Sequence, residues 1–518
     1  MSKDKKFIES INPATLEKIA EIETVTAADV PGVVQKAKAV QKSWGRLSPG
    51  QRNVYFRRMK EYVAGNLDDI CRRVTIDNGK TLLESLSAEV MPVMDMLDFC
   101  IREAPQALKS EKITSPMFKL GRIKSSIEFE PLGVVAIIAP WNFPLCIPVT
   151  QTLMALAAGN AVVLKPAALT AYTGQLISEI FSKSGFPEGL VNVIQGSGSV
   201  LGDAIIAAGV DRIAFTGSVP VGKQLMTQAG SSLIPVTLEL GGKDPFIVLD
   251  DADIDRASSG AVWGSFINAG QVCASVERVY VHKKVAKEFI RQVREKASAL
   301  RVGNGLEHAV DMGPLIEERQ LEIVQSHIDD AVSRGAEVLV GGGRVEGVKG
   351  HFFKPTVLTD VDHSMTCMTE ETFGPTMPIM VFSSVDEAVE LANDSRFALT
   401  ASVWSRDVPK ARGIANDIVT GTATVNDCEF TYGFAQCPWG GPKESGIGRT
   451  HSVHGLYEFT NLKNICVTTP MLRNNIWWYP YSERKYKSLK TFVNTMYSDG
   501  LLSKCMGAAD LVKKAMTL

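Results

Sequence analysis

Val134-Val-Ala-Ile-Ile138, running into Ala139-Pro140-Trp141-Asn142-Phe143-Pro144, decides the fold. Its first five residues form a short apolar run rich in β-branched side chains, bounded by Gly133 and Pro140, and they read as a strand. A helix-like stretch follows over about Pro144–Leu156. The same rhythm then repeats. Strand-like runs stand at Ala161–Leu164, Val191–Ile194 and Arg212–Phe215, and helix-like stretches at about Leu169–Ser184, Leu201–Ala208 and Val219–Ala229. Strands alternating with helices predict an α/β fold with a parallel sheet, in which ligands collect at the carboxyl ends of the strands.

Working outward, residues from Thr26 to about Lys109 carry Ala, Val, Leu and Met at helical spacing. From Ile113 to Pro131, Phe118, Leu120, Ile123 and Ile127 alternate with Lys, Arg and Ser around Gly121, as in a β-hairpin. A second α/β passage runs from near Gly241 to about Gly441, with a helix at Val285–Leu300 and a strand at Thr422–Val425. Ile465–Thr469 reads as an isolated strand, followed by the aromatic cluster Trp477-Trp478-Tyr479-Pro480-Tyr481. Beyond it Tyr486, Leu489, Phe492, Val493 and Met496 recur at helical spacing among Arg484, Lys485, Lys487 and Lys490, which predicts an amphipathic helix with a basic face.

The 518 residues suffice for several domains. With 55 basic and 57 acidic side chains the net charge is -2, so no basic excess calls for nucleic acid. The nine cysteines include no CxxC pair and signal neither a metal site nor a disulfide framework. Free thiols suit a reducing, cytoplasmic setting. The opening MSKDKKFIESINPA has no apolar segment of the secretory type, and no apolar run reaches the roughly 20 residues of a membrane span.

Several residues could carry chemistry. Asn268-Ala-Gly-Gln-Val-Cys273 sets a cysteine among small residues after a helix-like stretch; a thiolate there is a strong nucleophile once its pKa is lowered, although a lone cysteine also serves as a buried structural residue. Glu239, in Thr237-Leu-Glu239-Leu-Gly-Gly-Lys243, ends an apolar run and suits either a base that deprotonates water or an ion-pair partner. Asn142 could donate its amide to a developing oxyanion, or simply form a turn beside proline. In Phe215-Thr-Gly217-Ser218-Val-Pro-Val221-Gly222, a strand gives way to a helix start that suits a pyrophosphate. Lys165 ends a strand and could reach ribose hydroxyls, while Glu371 and Phe373 offer a carboxylate and an aromatic ring. A helix cap, a solvated lysine and a turn are the plain alternatives. The dinucleotide fingerprint GxGxxG is missing, since Gly196-Ser-Gly198 and Gly202 have the wrong spacing.

Taken together, PWNFP, LKP, FTGS, LELGGK, NAGQVC, EETFGP, NDS at Asn393–Ser395 and PWGGPKESGIGR at Pro438–Arg449 resemble the aldehyde dehydrogenase superfamily, in its motif order and over the chain to about residue 470. The resemblance implies Cys273 as nucleophile, Glu239 as general base, and the Asn142 side chain with the Cys273 backbone N–H as oxyanion hole. It implies a nicotinamide cofactor against Ala139, Trp141, Lys165, Ala168 and Gly198 on one side. Phe215, Gly217, Ser218, Val221, Leu240, Glu371 and Phe373 would complete that site. The fold implied is three-part: a parallel-sheet cofactor domain (residues 1–112 and 132–241, with 442–462 returning to it), an α/β catalytic domain (242–441), and a small β oligomerisation unit (113–131 with 463–470). A 471–518 tail with the amphipathic helix follows. A homodimer or homotetramer is expected by the same resemblance.

This sequence departs from that pattern at Ala168. NAD-preferring members commonly carry a glutamate there, three residues after the LKP lysine, and its absence removes the charge that would repel a 2'-phosphate. The expected cofactor is therefore NAD or NADP. The expected substrate is an aliphatic or aromatic aldehyde, because Ile147, Thr150, Cys428, Phe430 and Phe434 around the expected tunnel are apolar or neutral and no arginine there greets a second carboxylate. A CoA-acylating enzyme would not need Glu239, and a silent scaffold would not need the three catalytic groups together. The tail would shape the aldehyde entrance, touch a membrane surface, or simply pack on protein.

Overall fold

The computed structural model describes residues 7–115, 117–118, 123–469 and 475–497. These fall into two compact units, one of Met1–Ala107 with Pro131–Thr460 and one of Leu108–Glu130 with Asn461–Leu518.

Two sheets organise the first unit. One has six strands in the order Gly446–Ile447, Val236–Glu239, Arg212–Thr216, Val134–Ile138, Ala161–Lys165 and Val191–Val193. All run parallel except Gly446–Ile447, which lies antiparallel on Val236–Glu239. Every residue of Val134–Ile138, Ala161–Lys165 and Arg212–Thr216 is buried, as expected for parallel strands covered by helices on both faces. The chain leaves Val134–Ile138 toward Ala161–Lys165 on one side and later returns to Arg212–Thr216 on the other. That reversal of strand order leaves a crevice at the strands' carboxyl ends.

The connecting helices follow the sequence rhythm: Cys146–Ala157, Ala171–Lys183, Gly198–Ala207 and Val219–Ser231. Cys146–Ala157 is buried on every side, in keeping with its uniformly apolar and small residues. The second sheet has seven strands centred on Thr376–Phe382, Val276–His282, Asp244–Val248 and Thr400–Trp404. It is parallel but for the edge pair Glu337–Val340 with Thr356–Thr359. A strand pair before residue 26, Phe7–Ile11 with Lys18–Glu23, carries no turn signal that the sequence reading used.

The second unit is a three-stranded sheet in the order Thr460–Thr468, Ile123–Pro131, Glu111–Ile113. The expected hairpin is present as Glu111–Ile113 antiparallel to Ile123–Pro131; its turn around Gly121 lies outside the described residues. The tail helix spans Glu483–Tyr497, but its buried face differs from expectation. Ser488, Phe492 and Thr495 point inward, whereas Tyr486 and Val493 are exposed. Ser488, Phe492 and Thr495 stand at i, i+4 and i+7 on one face, of which spacing by hydropathy found Phe492 and missed the two hydroxyl residues. No helix among the described residues is long and apolar enough to cross a membrane. Residues 498–518 of the expected tail lie outside the described residues.

Candidate active site

Because the central strands are parallel, their carboxyl ends deliver Pro140-Trp141-Asn142, Gly217-Ser218 and Leu240-Gly241 to one edge of the sheet. Cys273 reaches the same place from the other sheet, just before Val276–His282. The approach to it is a tight kink in which Asn268 and Ala269 hold φ near 51° and 55°, left-handed values that cost energy outside glycine. Gly270 continues the kink at φ 71°, where a side-chain carbon would run into the carbonyl of Gly374. Gly242 is needed for a similar reason, since a side chain there would strike the Cys273 carbonyl.

Two cavities meet at this point. The first, of about 310 Å³, lies over the strand ends and is walled by Trp141, Asn142, Thr216, Gly217, Ser218, Leu240, Glu371 and Phe373. The second, of about 580 Å³, is walled mainly by apolar groups including Met91, Met94, Phe143, Ile147, Trp263, Phe430, Phe434 and Trp439. Cys273 lines both.

The environment of the thiol departs from the sequence expectation of a lowered pKa. Burial pushes the Cys273 thiol well up, and the charges of Glu239, Glu371, Asp244 and Glu429 push it further. One Nδ2–H of the Asn142 amide is donated at rest to the carbonyl of Gln271 at 3.1 Å. Glu239 is 4 % exposed, and Thr216 and Thr450 donate hydroxyl hydrogen bonds to its two carboxylate oxygens at 3.2 and 2.9 Å. Burial raises its pKa to about 7, against the lowering effect of those hydroxyls and of Arg449.

The expected cofactor residues fall into three groups. Trp141, Gly217, Ser218, Leu240, Glu371 and Phe373 line the smaller cavity. Within it Phe373 meets the Trp141 ring edge-on at 5.3 Å, and Glu371 accepts the Gly242 N–H at 3.1 Å. Burial raises the Glu371 carboxyl to about 8. Lys165 and Gly198 lie together beyond that cavity, so that a side-chain carbon on Gly198 would sit 3.6 Å from Lys165 Nζ. Lys165 is buried and its pKa falls to about 8 from burial alone. A buried ammonium beside the free N–H groups that open Gly198–Ala207 fits the hydroxyls and phosphates of a dinucleotide. Ala139, Ala168, Phe215 and Val221 do not line the cavity: Ala139 is buried with its N–H on the Lys165 carbonyl, Ala168 opens the turn after Lys165, Phe215 packs on Gly217, and Val221 is exposed on its helix.

Of the residues expected around the aldehyde, Ile147, Phe430 and Phe434 line the larger cavity. Thr150 and Cys428 do not. Thr150 is turned onto its own helix, donating to the Cys146 carbonyl at 2.8 Å, and the Cys428 thiol donates to the Gly260 carbonyl at 3.5 Å.

Sequence reading missed the buried charges that hold these loops. Lys80 pairs with Glu89 at 2.6 Å, both fully buried, and donates to the Asn142 carbonyl at 2.8 Å. Glu89 in turn accepts the N–H groups of Leu145 and Cys146. Glu84, whose other oxygen caps Thr81, accepts the Asn268 N–H at 2.7 Å and so ties down the start of the cysteine kink. Behind Phe373, Lys243 and Glu277 form a second buried pair at 2.5 Å, with Glu277 accepting the N–H groups of Thr372 and Phe373. A lysine next to Asn78-Gly79 and a glutamate nine residues on gave no spacing signal that could have linked them.

A parallel-sheet crevice and an apolar cavity that share one cysteine are the layout of an α/β enzyme with a nucleophile between two binding cavities. The model of the "Aldehyde dehydrogenase family" matches residues 1–465, and the chain belongs to that family: it is an NAD(P)-dependent aldehyde dehydrogenase. Among curated relatives it is 38% identical over 473 residues to 4,4'-diapolycopene aldehyde oxidase of Methylomonas sp, covering 90% of this chain and 88% of that one. Among solved structures it is similar to betaine aldehyde dehydrogenase of Staphylococcus aureus in complex with NAD+, with a TM-score of 0.86 and 34% identity over 92% of this chain and 94% of that one. An NADP dependent enzyme of E. coli matches with a TM-score of 0.85 and 33% identity, over 89% and 95%.

Proposed function

We propose that the enzyme oxidises an apolar aliphatic or aromatic aldehyde to its carboxylic acid through a thioester on Cys273, with NAD(P) as the oxidant. The carrying observation is the Cys273 thiol at the junction of the two cavities, with Asn142 on the wall of one of them. When bound, the dinucleotide supplies the hydride acceptor. Trp141, Ser218, Lys165, Glu371 and Phe373 are the residues assigned to hold it, within a cofactor part made of residues 1–112 and 132–241 and facing a catalytic part made of 242–441.

In this reading the Cys273 thiol loses its proton to solvent water, the resulting thiolate sulfur bonds to the aldehyde carbon, and the carbonyl electron pair moves onto oxygen. The second Nδ2–H of Asn142 holds that oxygen, together with the Cys273 N–H, while the first stays on the Gln271 carbonyl. Loss of hydride from carbon restores the carbonyl and leaves the thioester. Glu239, rotated from its two threonines, takes a proton from water, whose oxygen attacks the thioester carbon. The C–S bond then breaks and the acid leaves. Preorganised donors act most where oxygen charge grows, and removing one typically costs about 100- to 1,000-fold.

Substrate class follows from the larger cavity. Lys60 is the basic residue on its wall, and it is engaged by Asp98 at 2.5 Å. A second carboxylate on the aldehyde would find no further cation there among the described residues, whereas methionine and aromatic side chains adapt to an apolar chain.

The test is aldehyde-dependent NAD(P)H formation across an aldehyde panel. Cys273→Ala should abolish it, and Glu239→Gln should give one burst and then stall at the acyl-enzyme. Product formation without CoA separates hydrolysis from acyl transfer. Unchanged steady-state turnover in Glu239→Gln would remove Glu239 from the base role.

Assembly as a homodimer or homotetramer is proposed through the edge strand Thr460–Thr468, where Leu462, Ile465 and Val467 are exposed. Light scattering on the intact chain and on a truncation after Thr469 tests both the assembly and the tail's part in it.

A further inference from the structure

The base is held by a structure of its own. Glu239 pairs in register with Gly446, and the chain then turns back so that Thr450 stands over the carboxylate. Thr450 is fixed through its backbone, which exchanges both hydrogen bonds with Trp439 at 2.8 and 2.9 Å. Gly455 allows this closeness, because a side-chain carbon there would strike the Thr450 backbone.

His451 comes next, in a conformation that L-residues avoid, with φ 60° and ψ 168°. Ser452 also has positive φ, at 56°. Such strain persists only where the surroundings overdetermine it. Here the imidazole is buried, packs edge-on against the Tyr432 ring at 4.5 Å, and places Nδ1 3.1 Å from Thr450 Oγ1. The hydroxyl proton of Thr450 already goes to Glu239, so its oxygen accepts from Nδ1–H. Burial lowers the His451 pKa to about 3, which keeps the ring neutral and leaves it no part in proton uptake.

We propose that Thr450, with its hydroxyl oriented by His451, is a positioning residue that keeps the Glu239 carboxylate ionised in its resting place and so sets the lower pH limit of thioester hydrolysis. The inference rests on Glu239 being the base. The groups that face this carboxylate are Thr216, backed by Gln151 at 2.9 Å, then Thr450, the Arg449 guanidinium, and the ionisable Cys146, Cys273 and Tyr432. Thr216 and Thr450 donate to the two oxygens, Arg449 adds a favourable charge, and burial opposes them all. Without the Thr450 hydroxyl the neutral acid is favoured.

The experiment is the pH profile of steady-state turnover between about pH 5.5 and 9 for the full-length enzyme, with the burst of NAD(P)H measured in parallel. Thr450→Val should keep the burst and move the acid limb up by about one pH unit, the size expected for one lost hydrogen bond to a charged group; that is a roughly fivefold loss of turnover near pH 7. Thr450→Ser should restore the parent profile. His451→Phe, which keeps the aromatic packing on Tyr432, should move the limb the same way by less, and it serves as the test if the valine variant does not fold. A soluble Thr450→Val or His451→Phe with the parent acid limb overturns the inference. If Glu239→Gln itself turns over normally, the base assignment has failed. If Glu239→Gln stalls while the acid limb of Thr450→Val stays put, only the role of Thr450 falls.

Discussion

Lys80→Met tests whether the buried charge under the oxyanion loop is structural, catalytic or both. In the parent, Lys80 Nζ reaches Glu89 at 2.6 Å and the Asn142 carbonyl at 2.8 Å, and it lies 4.0 Å from the centre of the Phe143 ring. Methionine keeps the length and the apolar stem but strands the Glu89 carboxylate away from water, where Leu145 and Cys146 N–H are its remaining partners. Removing one member of a buried pair costs about 3–5 kcal/mol, because the other is left uncompensated. Lys80→Met/Glu89→Gln should recover about 2 kcal/mol of that, since both N–H groups converge on one Glu89 oxygen, whose place the glutamine carbonyl oxygen can take. Urea unfolding followed by tryptophan fluorescence gives both numbers. Turnover supplies the second readout. Asn142 loses one tether but keeps the Asn268 amide on its carbonyl at 3.0 Å, while Asn78 holds the adjacent Trp141 carbonyl at 2.9 Å. The loop therefore loosens rather than collapses, and kcat should fall about tenfold, less than the loss of a whole oxyanion donor. A Lys80→Met enzyme within about 1 kcal/mol of the parent and with parent kcat would refute the reasoning.

Further tests address single groups. Asn142→Ala should lower kcat by about 100- to 1,000-fold with little change in burst stoichiometry, as read by stopped-flow NAD(P)H absorbance. Glu239 must be ionised to accept a proton and burial has raised its pKa to about 7, so hydrolysis should decline as pH falls below about 7; a flat profile down to pH 5.5 would show a different base. The cofactor-free Cys273 thiol, pushed well up by burial and neighbouring carboxylates, should alkylate slowly with iodoacetamide at pH 7 and faster as pH rises past 9, with peptide mapping to confirm the site. Ala168→Glu should lower kcat/KM for NADP about tenfold or more while sparing NAD, because a carboxylate there would meet the 2'-phosphate as a like charge; equal losses for both would place Ala168 away from that ribose.

The parallel sheet was legible because burial on both faces leaves long apolar runs. Val134–Ile138 and Arg212–Thr216 could hardly be read otherwise, and their ends fall within a residue of expectation. The site was legible where glycine or proline punctuation marks a strand end, as at Pro140, Gly217 and Gly241. Ionisation was not. The sequence places a cysteine after Asn268-Ala-Gly-Gln-Val, but the sign of its pKa shift depends on carboxylates 34 residues earlier at Glu239 and 98 later at Glu371. The tail helix misled in a similar way. Hydropathy picked out Phe492, which is buried, together with Tyr486 and Val493, which are exposed, and it passed over Ser488 and Thr495, which share the buried face.

The same limit explains why the positioning residues stayed hidden while the reacting ones did not. A nucleophile, a base and an oxyanion donor each need one particular functional group beside a strand end or kink, and such local signals survive in a linear reading. Lys80, Glu84 and Glu89 act instead by converging on backbone groups of two loops, at Asn142, Asn268, Leu145 and Cys146. Each is a lone charged residue in a stretch read only as helical, and the physical expectation for such a side chain is solvation. What reverses that expectation is the unsatisfied backbone of strand-to-helix turns packed beneath two cavities: every N–H and carbonyl there must find a partner, and a long charged side chain can supply it across the interior. Thr450 and His451 follow the same logic. Their residue types are unremarkable in a loop, and they gain a role because an antiparallel two-residue strand, Gly446–Ile447, carries them back over Glu239.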